Sequence, residues 1–169
     1  MTTTQTEIRR LEPADAQAYR EIRLEALRLA PEAFSSSFES ECTQTMDWFA
    51  NRLGKSVTFG AFRGTELVGT AGLVLSERQK EQHKGTMVGM YVRADARNAG
   101  VGRRLVETVI AYAKGRVEQV QLAVVSENIA ALRLYERFGF VQYGFEKKAL
   151  KQAGRYYDEI RMAKDLQSV

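Results

Sequence analysis

A glycine-bearing turn surrounded by arginines lies near the middle of the chain. Gly100 and Gly102 have no side chains to block a close approach to the backbone. Arg97, Arg103 and Arg104 place positive charge around them. If a helix begins here, its first backbone N–H groups lack partners within the helix, and its dipole adds partial positive charge. The turn could therefore hold a phosphate or pyrophosphate; an ordinary tight turn with a solvated basic helix end is the alternative.

The segments on either side of the turn predict a strand before it and a helix after it. The preceding segment, MVGMYV, is short and apolar, and its valines and tyrosine favour a strand. In the following segment Val101, Leu105 and Val109 recur every four residues, which predicts a helix with one apolar face. The turn is not a P-loop, since no Gly-Lys-Ser/Thr follows, and it lacks the Gly-x-Gly-x-x-Gly dinucleotide fingerprint.

The rest of the chain predicts an α+β, or mixed α/β, arrangement. Before the turn, the patterns predict a strand over residues 6–11 and helices over about 13–31 and about 45–53. They also predict a hairpin over residues 57–77. After the central helix we expect a strand over residues 117–125 and a helix over residues 128–138, which Gly139 ends. Two more strands should follow, one from residue 140 onwards and one over residues 155–166. Asn128 or Ser126 can cap the helix that follows them.

Composition and charge exclude several classes of protein. The chain has 169 residues, 44% hydrophobic and 27% charged, as in soluble globular proteins, and this length fits one domain over residues 1–169. No stretch approaches the roughly 18 apolar residues of a membrane span. The opening segment MTTTQTEIRR lacks the order of a signal peptide, so we expect a cytoplasmic protein without a membrane partner. The net charge of +4 is scattered, so nucleic acid is not the expected partner.

Two motifs in the second half of the chain resemble those of the GNAT superfamily of N-acetyltransferases. The first is Arg97-x-x-Gly100-x-Gly102 after a strand, which is similar to the acyl-CoA-binding motif of that family. The second keeps the spacing Asn-x-x-Ala-x-x-x-Tyr-x-x-x-Gly-Phe, in Asn128, Ala131, Tyr135, Gly139 and Phe140. The resemblance is specific between residues 87 and 140. It implies a twisted mixed sheet of six or seven strands with about four helices, in which two strands splay apart around the cofactor.

The resemblance also implies acetyl-CoA as the cofactor and a set of residues that bind it. The turn would wrap the pyrophosphate, and the strand before it would contact the pantetheine arm and the thioester oxygen. The implied cofactor-binding residues are Met90, Tyr91, Val92, Arg97, Asn98, Ala99, Gly100, Val101, Gly102, Arg103, Asn128 and Tyr135. Asn128 could instead serve only as a helix cap. We expect no metal ion at this site.

Acyl transfer to an amine needs a donor for the oxyanion, a donor for the leaving thiolate and an acceptor for the amine proton. The resemblance assigns the thiolate donor to Tyr135, since a phenol with a pKa near 10 stays protonated at neutral pH. The alternative is that Tyr135 is an ordinary residue of the apolar helix face, with its hydroxyl at the rim of the core. Some family members have a glutamate as the general base where this chain has Thr86 or Ala123. The resemblance therefore does not assign the group that accepts the amine proton.

Several groups remain as candidates for the base and for the acceptor pocket. A water chain, Glu39, Glu41 or His83 could accept the proton, although His83 in a polar loop is equally an exposed histidine. A covalent route through Cys42 is weaker than direct attack, because the sequence shows no neighbouring histidine. Candidate acceptor contacts, each of which could instead be core or solvated, are Phe34, Ser36, Phe38, Glu39, Trp48, His83 and Tyr156.

Three functional hypotheses follow. The first is an acetyl-CoA-dependent N-acetyltransferase that acts on a primary amine of a small molecule or a protein, by direct attack in a ternary complex. The second is a non-catalytic acyl-CoA-binding module of the same fold, which the missing glutamates favour and Tyr135 disfavours. The third is a basic nucleic-acid-binding domain, which only the net charge supports. A homodimer is possible, and the sequence does not identify the acceptor.

Overall fold

The computed structural model describes residues 6–166, so the ends of the predicted domain, residues 1–5 and 167–169, lie outside the described part. Helices α1 to α5 span Ala16–Leu29, Phe38–Glu41, Met46–Lys55, Val101–Ala113 and Ile129–Arg137. Strands β1 to β7 span Thr6–Arg10, Val57–Arg63, Glu66–Leu75, Lys84–Val92, Gln119–Val125, Val141–Gln152 and Arg155–Asp165. Between residues 6 and 166, no helix is both long and apolar enough to span a membrane.

All seven strands form one mixed sheet in the order β1-β2-β3-β4-β5-β7-β6. The first four strands pair antiparallel with their neighbours, and β5, β7 and β6 do the same. Strands β4 and β5 run parallel, with α4 in the connection between them. The predicted mixed sheet of six or seven strands is therefore confirmed, and β7 lies between β5 and β6.

Strands β4 and β5 pair over a short length and then separate. Their register joins Lys84 to Gln119, Gly85 to Val120 and Thr86 to Gln121, and no pair follows. Residues 87–92 of β4 and 122–125 of β5 therefore border an opening in the sheet, which we call the β4–β5 gap. The edge of each strand that faces this gap has no strand partner, so its backbone groups can bind a ligand.

A bulge in β4 lies beside the gap. Thr70 pairs with Tyr91 and Gly72 with Val88, so β4 contains one more residue than β3 at this point. Gly89 takes the extra space with a φ of 63°, a conformation that favours glycine. The hydroxyl of Thr70 donates to the carbonyl of Gly89 over 3.1 Å and holds the bulge in place.

Two hydrophobic clusters cover the two faces of the sheet. Successive residues of β3 alternate between them, since Leu67 belongs to the cluster with α1 and α3, and Val68 to the cluster with α4. Leu105 of α4 and Phe49 of α3 are fully buried on their respective sides. The predicted periodicity of α4 is confirmed, because its buried residues are Val101, Leu105, Val106, Val109, Ile110 and Ala113.

The described chain has five α-helices, one more than the resemblance implied. The additional helix, α2, is a single turn in a segment without a clear hydrophobic period. The hydroxyl of Ser37 caps it by accepting from the backbone N–H of Ser40 over 3.2 Å. Four residues are too few to show a helical repeat, which explains why the pattern did not indicate this helix.

Candidate active site

The glycine turn, residues 97–102, presents free backbone N–H groups at the start of α4. Gly100 is the N-cap residue with a φ of 75°, and Asn98 also has a positive φ of 61°. Within residues 6–166, the N–H of Arg104 is the first of the helix to find an acceptor, the carbonyl of Gly100 at 3.0 Å. The N–H groups of the preceding helical residues therefore point out of the helix end and can cradle an anion.

The arginines near the turn have different surroundings. The Nε of Arg97 donates to the carbonyl of Val92 over 3.0 Å, which ties the turn to the end of β4. The guanidinium of Arg104 donates to the carbonyl of Thr6 in β1, so part of its hydrogen-bonding capacity is used there. Arg103 is exposed and has no ion-pair partner within the described residues, so it can meet an incoming anion.

The turn, the gap and helix α5 meet at Gly102. A Cβ added to Gly102 would lie 3.6 Å from Cδ2 of Leu134 in α5. It would also lie 3.8 Å from both Cε of Met90 and Cγ2 of Val92 in β4. An anion held at the turn is therefore next to the edge of β4 and to the helix that carries Tyr135.

Three cofactor residues predicted on β4 contribute differently. The side chains of Met90 and Val92 pack in the cluster with α4. Tyr91 points to the other face, where its hydroxyl donates to Oε1 of Glu25 over 3.1 Å. Because these side chains face away from the strand edge, the backbone is the part of this segment that borders the gap.

Tyr135 is buried on α5, with 6% of its surface exposed. Its ring packs edge to face on Phe140, with 5.8 Å between the ring centroids. Within residues 6–166 its hydroxyl has no hydrogen-bond partner. Because no fully buried side-chain oxygen in this range is unpartnered, the hydroxyl oxygen retains some solvent exposure. Burial raises the pKa of Tyr135 to about 12, which keeps the phenol protonated at neutral pH.

Asn128 caps helix α5 and positions it against the end of β5. Its Oδ1 accepts from the N–H of Ala131 over 3.2 Å, which confirms the predicted cap. Its own N–H donates to the carbonyl of Val125 over 2.9 Å. Tyr135 is therefore carried by a helix that starts where β5 borders the gap.

A cavity of about 610 Å³ opens on the face of the sheet that carries α1 and α3. Residues from both sides of the β4–β5 gap line it, including Val88 and Gly89 of β4 and Ala123 of β5. Two predicted acceptor residues, Phe34 and Ser36, also line it. The cavity therefore reaches the β4–β5 gap from the face of the sheet opposite α4.

The other predicted acceptor residues lie outside this cavity. Phe38 and Glu39 belong to α2, and the ring of Trp48 packs on Phe49 with 4.9 Å between centroids. The exposed His83 precedes β4, and Tyr156 lies on β7 with two lysine amines over its ring, at 4.9 and 5.1 Å. The structure does not bring these five side chains together at one site.

One wall of the cavity carries a buried charge cluster that sequence reasoning missed. Arg23 donates to both carboxylate oxygens of Glu41 over 2.8 and 2.9 Å, and Arg52 contacts the same carboxylate at 3.3 Å. The side chains of Arg23 and Glu41 are 8% and 5% exposed. Arg23 and Arg52 line the cavity, whereas Glu41 does not. Two guanidinium groups against one carboxylate give this wall a net positive charge.

Glu41 is expected to be essential for stability. Burial alone would raise the pKa of Glu41, but its bonds to Arg23 outweigh burial and place the pKa below its usual value. Glu41→Gln leaves Arg23 uncompensated and should lower the unfolding free energy by about 3 kcal/mol at pH 7. In the parent chain, ionised Glu41 makes its full contribution to the unfolding free energy at pH values above the usual glutamate pKa. The contribution is lost as the pH falls through the lowered pKa of Glu41 in the folded state.

Urea unfolding of Glu41→Gln at pH 7 and at acid pH measures this effect. Glu39→Gln is the matched control, since Glu39 is exposed on the same helix and should change the unfolding free energy by less than about 0.5 kcal/mol. Equal stability of both variants at pH 7 would contradict a supporting role for the Arg23–Glu41 pair.

Carboxylates from the last two strands also line the cavity. Glu146 of β6 and Glu159 of β7 line it together with Arg161. Thr86 and Ala123, which stand where some family members have a glutamate, also line the cavity. Cys42 does not line the cavity; its thiol donates to the carbonyl of Glu39 at 3.7 Å.

The acetyltransferase (GNAT) family model matches residues 21–140, which is more than half of the chain. The chain belongs to the GNAT family of acetyltransferases. This family uses acetyl-CoA as its acetyl donor, and the chain is an acetyl-CoA-dependent N-acetyltransferase. The family predicted from the two motifs is therefore confirmed.

Individual relatives agree with this assignment. The chain is similar to the L-amino acid N-acetyltransferase AaaT of Escherichia coli strain K12, with 26% identity over 93% of this chain and 96% of that protein. Its fold is similar to that of a GNAT acetyltransferase from Streptococcus pneumoniae, with a TM-score of 0.86 and 24% identity over 96% of this chain and 100% of that one. It is also similar in fold to yncA of Salmonella typhimurium, solved with acetyl-CoA, with a TM-score of 0.79 and 19% identity over 97% and 95%.

Proposed function

We propose that this GNAT protein binds acetyl-CoA across the glycine turn and the β4–β5 gap, and transfers the acetyl group to a primary amine in the cavity. The observation that carries this proposal is the continuity of the three features. The turn meets β4 and α5 at Gly102, and residues of β4 and β5 on both sides of the gap also line the cavity. A donor that enters from the turn can therefore reach an acceptor on the opposite face of the sheet.

The residues of this chain supply the requirements of direct attack. Free N–H groups at the turn would hold the pyrophosphate, and the backbone of residues 90–92 would donate to the thioester oxygen as it gains charge. Tyr135 would donate its proton to the departing thiolate, since its hydroxyl is protonated, has no hydrogen-bond partner within residues 6–166 and is not fully buried. Cys42 lies outside the cavity lining, which favours direct attack over an acetyl-cysteine route.

The shape and charge of the cavity favour a small acceptor that carries a carboxylate. About 610 Å³ is a usual volume for a small-molecule site. Arg23 and Arg52 line a wall of net positive charge. Both oxygens of Glu41 engage Arg23, whereas Arg52 is 35% exposed and contacts Glu41 through one nitrogen, so its guanidinium can bind a ligand carboxylate. The similarity to a protein named as an L-amino acid N-acetyltransferase points to the same acceptor class. We therefore expect free amino acids to be better acceptors than amines without a carboxylate.

Thiol release from acetyl-CoA tests the proposal with matched pairs of amines. Each L-amino acid is compared with its decarboxylated amine and with its carboxamide, at equal concentration. We expect the amino acid to exceed both partners in kcat/KM by about tenfold or more, because a carboxylate–guanidinium contact contributes about 1.5–3 kcal/mol. Faster turnover of the decarboxylated amines would contradict the carboxylate assignment and leave a plain amine as the acceptor.

A further inference from the structure

The cavity contains two carboxylates within the described residues, and their surroundings differ. Glu146 is half exposed, and its carboxylate accepts a hydrogen bond from the guanidinium of Arg161. Glu159 has 15% of its side chain exposed and accepts no hydrogen bond from any residue between 6 and 166. Its nearest cation is Arg161, 3.6 Å away, beyond the distance of a good hydrogen bond. The oxygens of Glu159 are therefore available to a ligand in the cavity.

The register of the sheet places Glu159 at the end of β5 that borders the gap. Glu159 pairs with Val125, and Arg161 pairs with Ala123, so the side chains of Glu159 and Ala123 lie on the same face. Val125 lies four residues beyond Gln121, whose pair with Thr86 is the last between β4 and β5, so Glu159 is in the part of the sheet where these strands have separated. Glu159 thus faces the cavity at the end of β5 that borders the gap, and Val88 and Gly89 of β4 line the same cavity.

Glu159 and Tyr135 approach the gap from opposite faces of the sheet. Glu159 lines the cavity on the side of α1 and α3, whereas Tyr135 packs in the cluster with α4. The helix that carries Tyr135 starts at the end of β5, because the N–H of Asn128 donates to the carbonyl of Val125, and the N–H of Ser126 donates to the carbonyl of Asp158, next to Glu159, at 2.9 Å. Glu159 and the helix that carries Tyr135 are thus both anchored at the end of β5, on opposite faces of the sheet.

We propose that Glu159 is the general base that accepts the proton from the acceptor ammonium; this inference rests on the proposed function. The ammonium loses one proton to the Glu159 carboxylate, and the freed nitrogen lone pair bonds to the acetyl carbonyl carbon. The carbon–sulfur bond breaks, and the sulfur takes a proton from Tyr135. The new amide nitrogen returns a proton to the phenolate through water and keeps its last one, while Glu159 releases its proton to solvent.

The charges around Glu159 suit this role. Burial raises the pKa of Glu159 above the usual glutamate range, the positive charge of Arg161 opposes this shift, and the negative charge of Glu146 adds to it. Two other elements lie near Glu159. Its partner on β5, Val125, is uncharged, and the turn Pro31–Ala33, which packs near β5 and β6, adds the negative charge of Glu32. A carboxylate with a raised pKa is a stronger base toward an ammonium group.

The test compares Glu159→Gln with the parent chain over a range of pH, using acetyl-CoA and the L-amino acid that gives the highest parent kcat/KM. We expect kcat/KM of the variant to fall about 100-fold at pH 7, with the acetyl-CoA Kd unchanged. The deficit should shrink to less than about tenfold at the pH where the free amine loses its own proton, because the base is then no longer needed. A purely structural role would give the same loss at every pH.

Two further variants separate the possible outcomes. Glu107→Gln is the matched control on the exposed side of α4 and should keep the parent kcat/KM at all pH values. A pH-dependent deficit in Glu146→Gln instead of Glu159→Gln would overturn the inference in favour of the other cavity carboxylate. Full activity of Glu159→Gln would also overturn it while the proposed function stands. If the parent binds acetyl-CoA but releases no thiol with any amine, the proposed function itself fails, and the role of Glu159 falls with it.

Discussion

Tyr135→Phe is expected to lower kcat by about 100-fold or more while the affinity for acetyl-CoA changes by less than about twofold. The substitution removes only the hydroxyl, which has no hydrogen-bond partner within residues 6–166 and is not fully buried. The ring remains and keeps its edge-to-face contact with Phe140, so the core under α5 should stay intact. A selective loss of turnover would therefore assign the hydroxyl to the chemical step.

Steady-state kinetics and calorimetric titration with acetyl-CoA measure the two quantities separately. Because the pKa of Tyr135 is raised to about 12, the parent kcat should show no loss from phenol ionisation below about pH 11. Tyr112→Phe is a suitable control, since Tyr112 is a half-buried tyrosine on α4. Full activity of Tyr135→Phe would show that water or the amine itself protonates the thiolate.

Gly102→Glu is expected to weaken acetyl-CoA binding by about 100-fold or more without unfolding the protein. An added Cβ would make only ordinary contacts, the nearest at 3.6 Å, and a carboxylate in the first turn of a helix is stabilising. The same carboxylate would occupy the free N–H groups and repel a pyrophosphate. A loss of this size corresponds to about 2.7 kcal/mol of binding free energy.

Calorimetric titration with acetyl-CoA and a thermal melt measure binding and stability of this variant. Gly54→Glu provides the same substitution on α3, where the nearest atom to an added Cβ is 3.7 Å away, and should bind acetyl-CoA like the parent. Parent-like binding by Gly102→Glu would contradict the assignment of the glycine turn as the pyrophosphate site.

The local part of the fold and site could be predicted from the sequence. The helical period of α4, the positive φ required at Gly100 and the cap at Asn128 depend on residues close together in the chain. These features locate the glycine turn in the sequence. The motif from Asn128 to Phe140, which contains Tyr135, is likewise recognised by the spacing of its residues. The assignments of acetyl-CoA contacts to individual residues remain predictions.

The acceptor side could not be predicted, because it depends on long-range pairing. Glu159 reaches the cavity only because β7 enters the sheet between β5 and β6, and hydrophobic periodicity does not give the order of strands. Arg23 has the sequence pattern of an ordinary polar helix residue, and its burial follows from the contact with Glu41 across helices. The type of Trp48 suits an acceptor pocket, but helix α3 packs its ring on Phe49 outside the cavity.

The central claim is direct transfer of the acetyl group from acetyl-CoA to an amine in the cavity. The most direct measurement follows free coenzyme A thiol by absorbance and the N-acetylated amine by mass spectrometry, in the presence and absence of L-amino acids. We predict no thiol burst without an amine, and equal amounts of thiol and N-acetyl product once an amine is added. Bound acetyl-CoA with no product from any amine, or a thiol burst that leaves acetylated Cys42, would contradict this account.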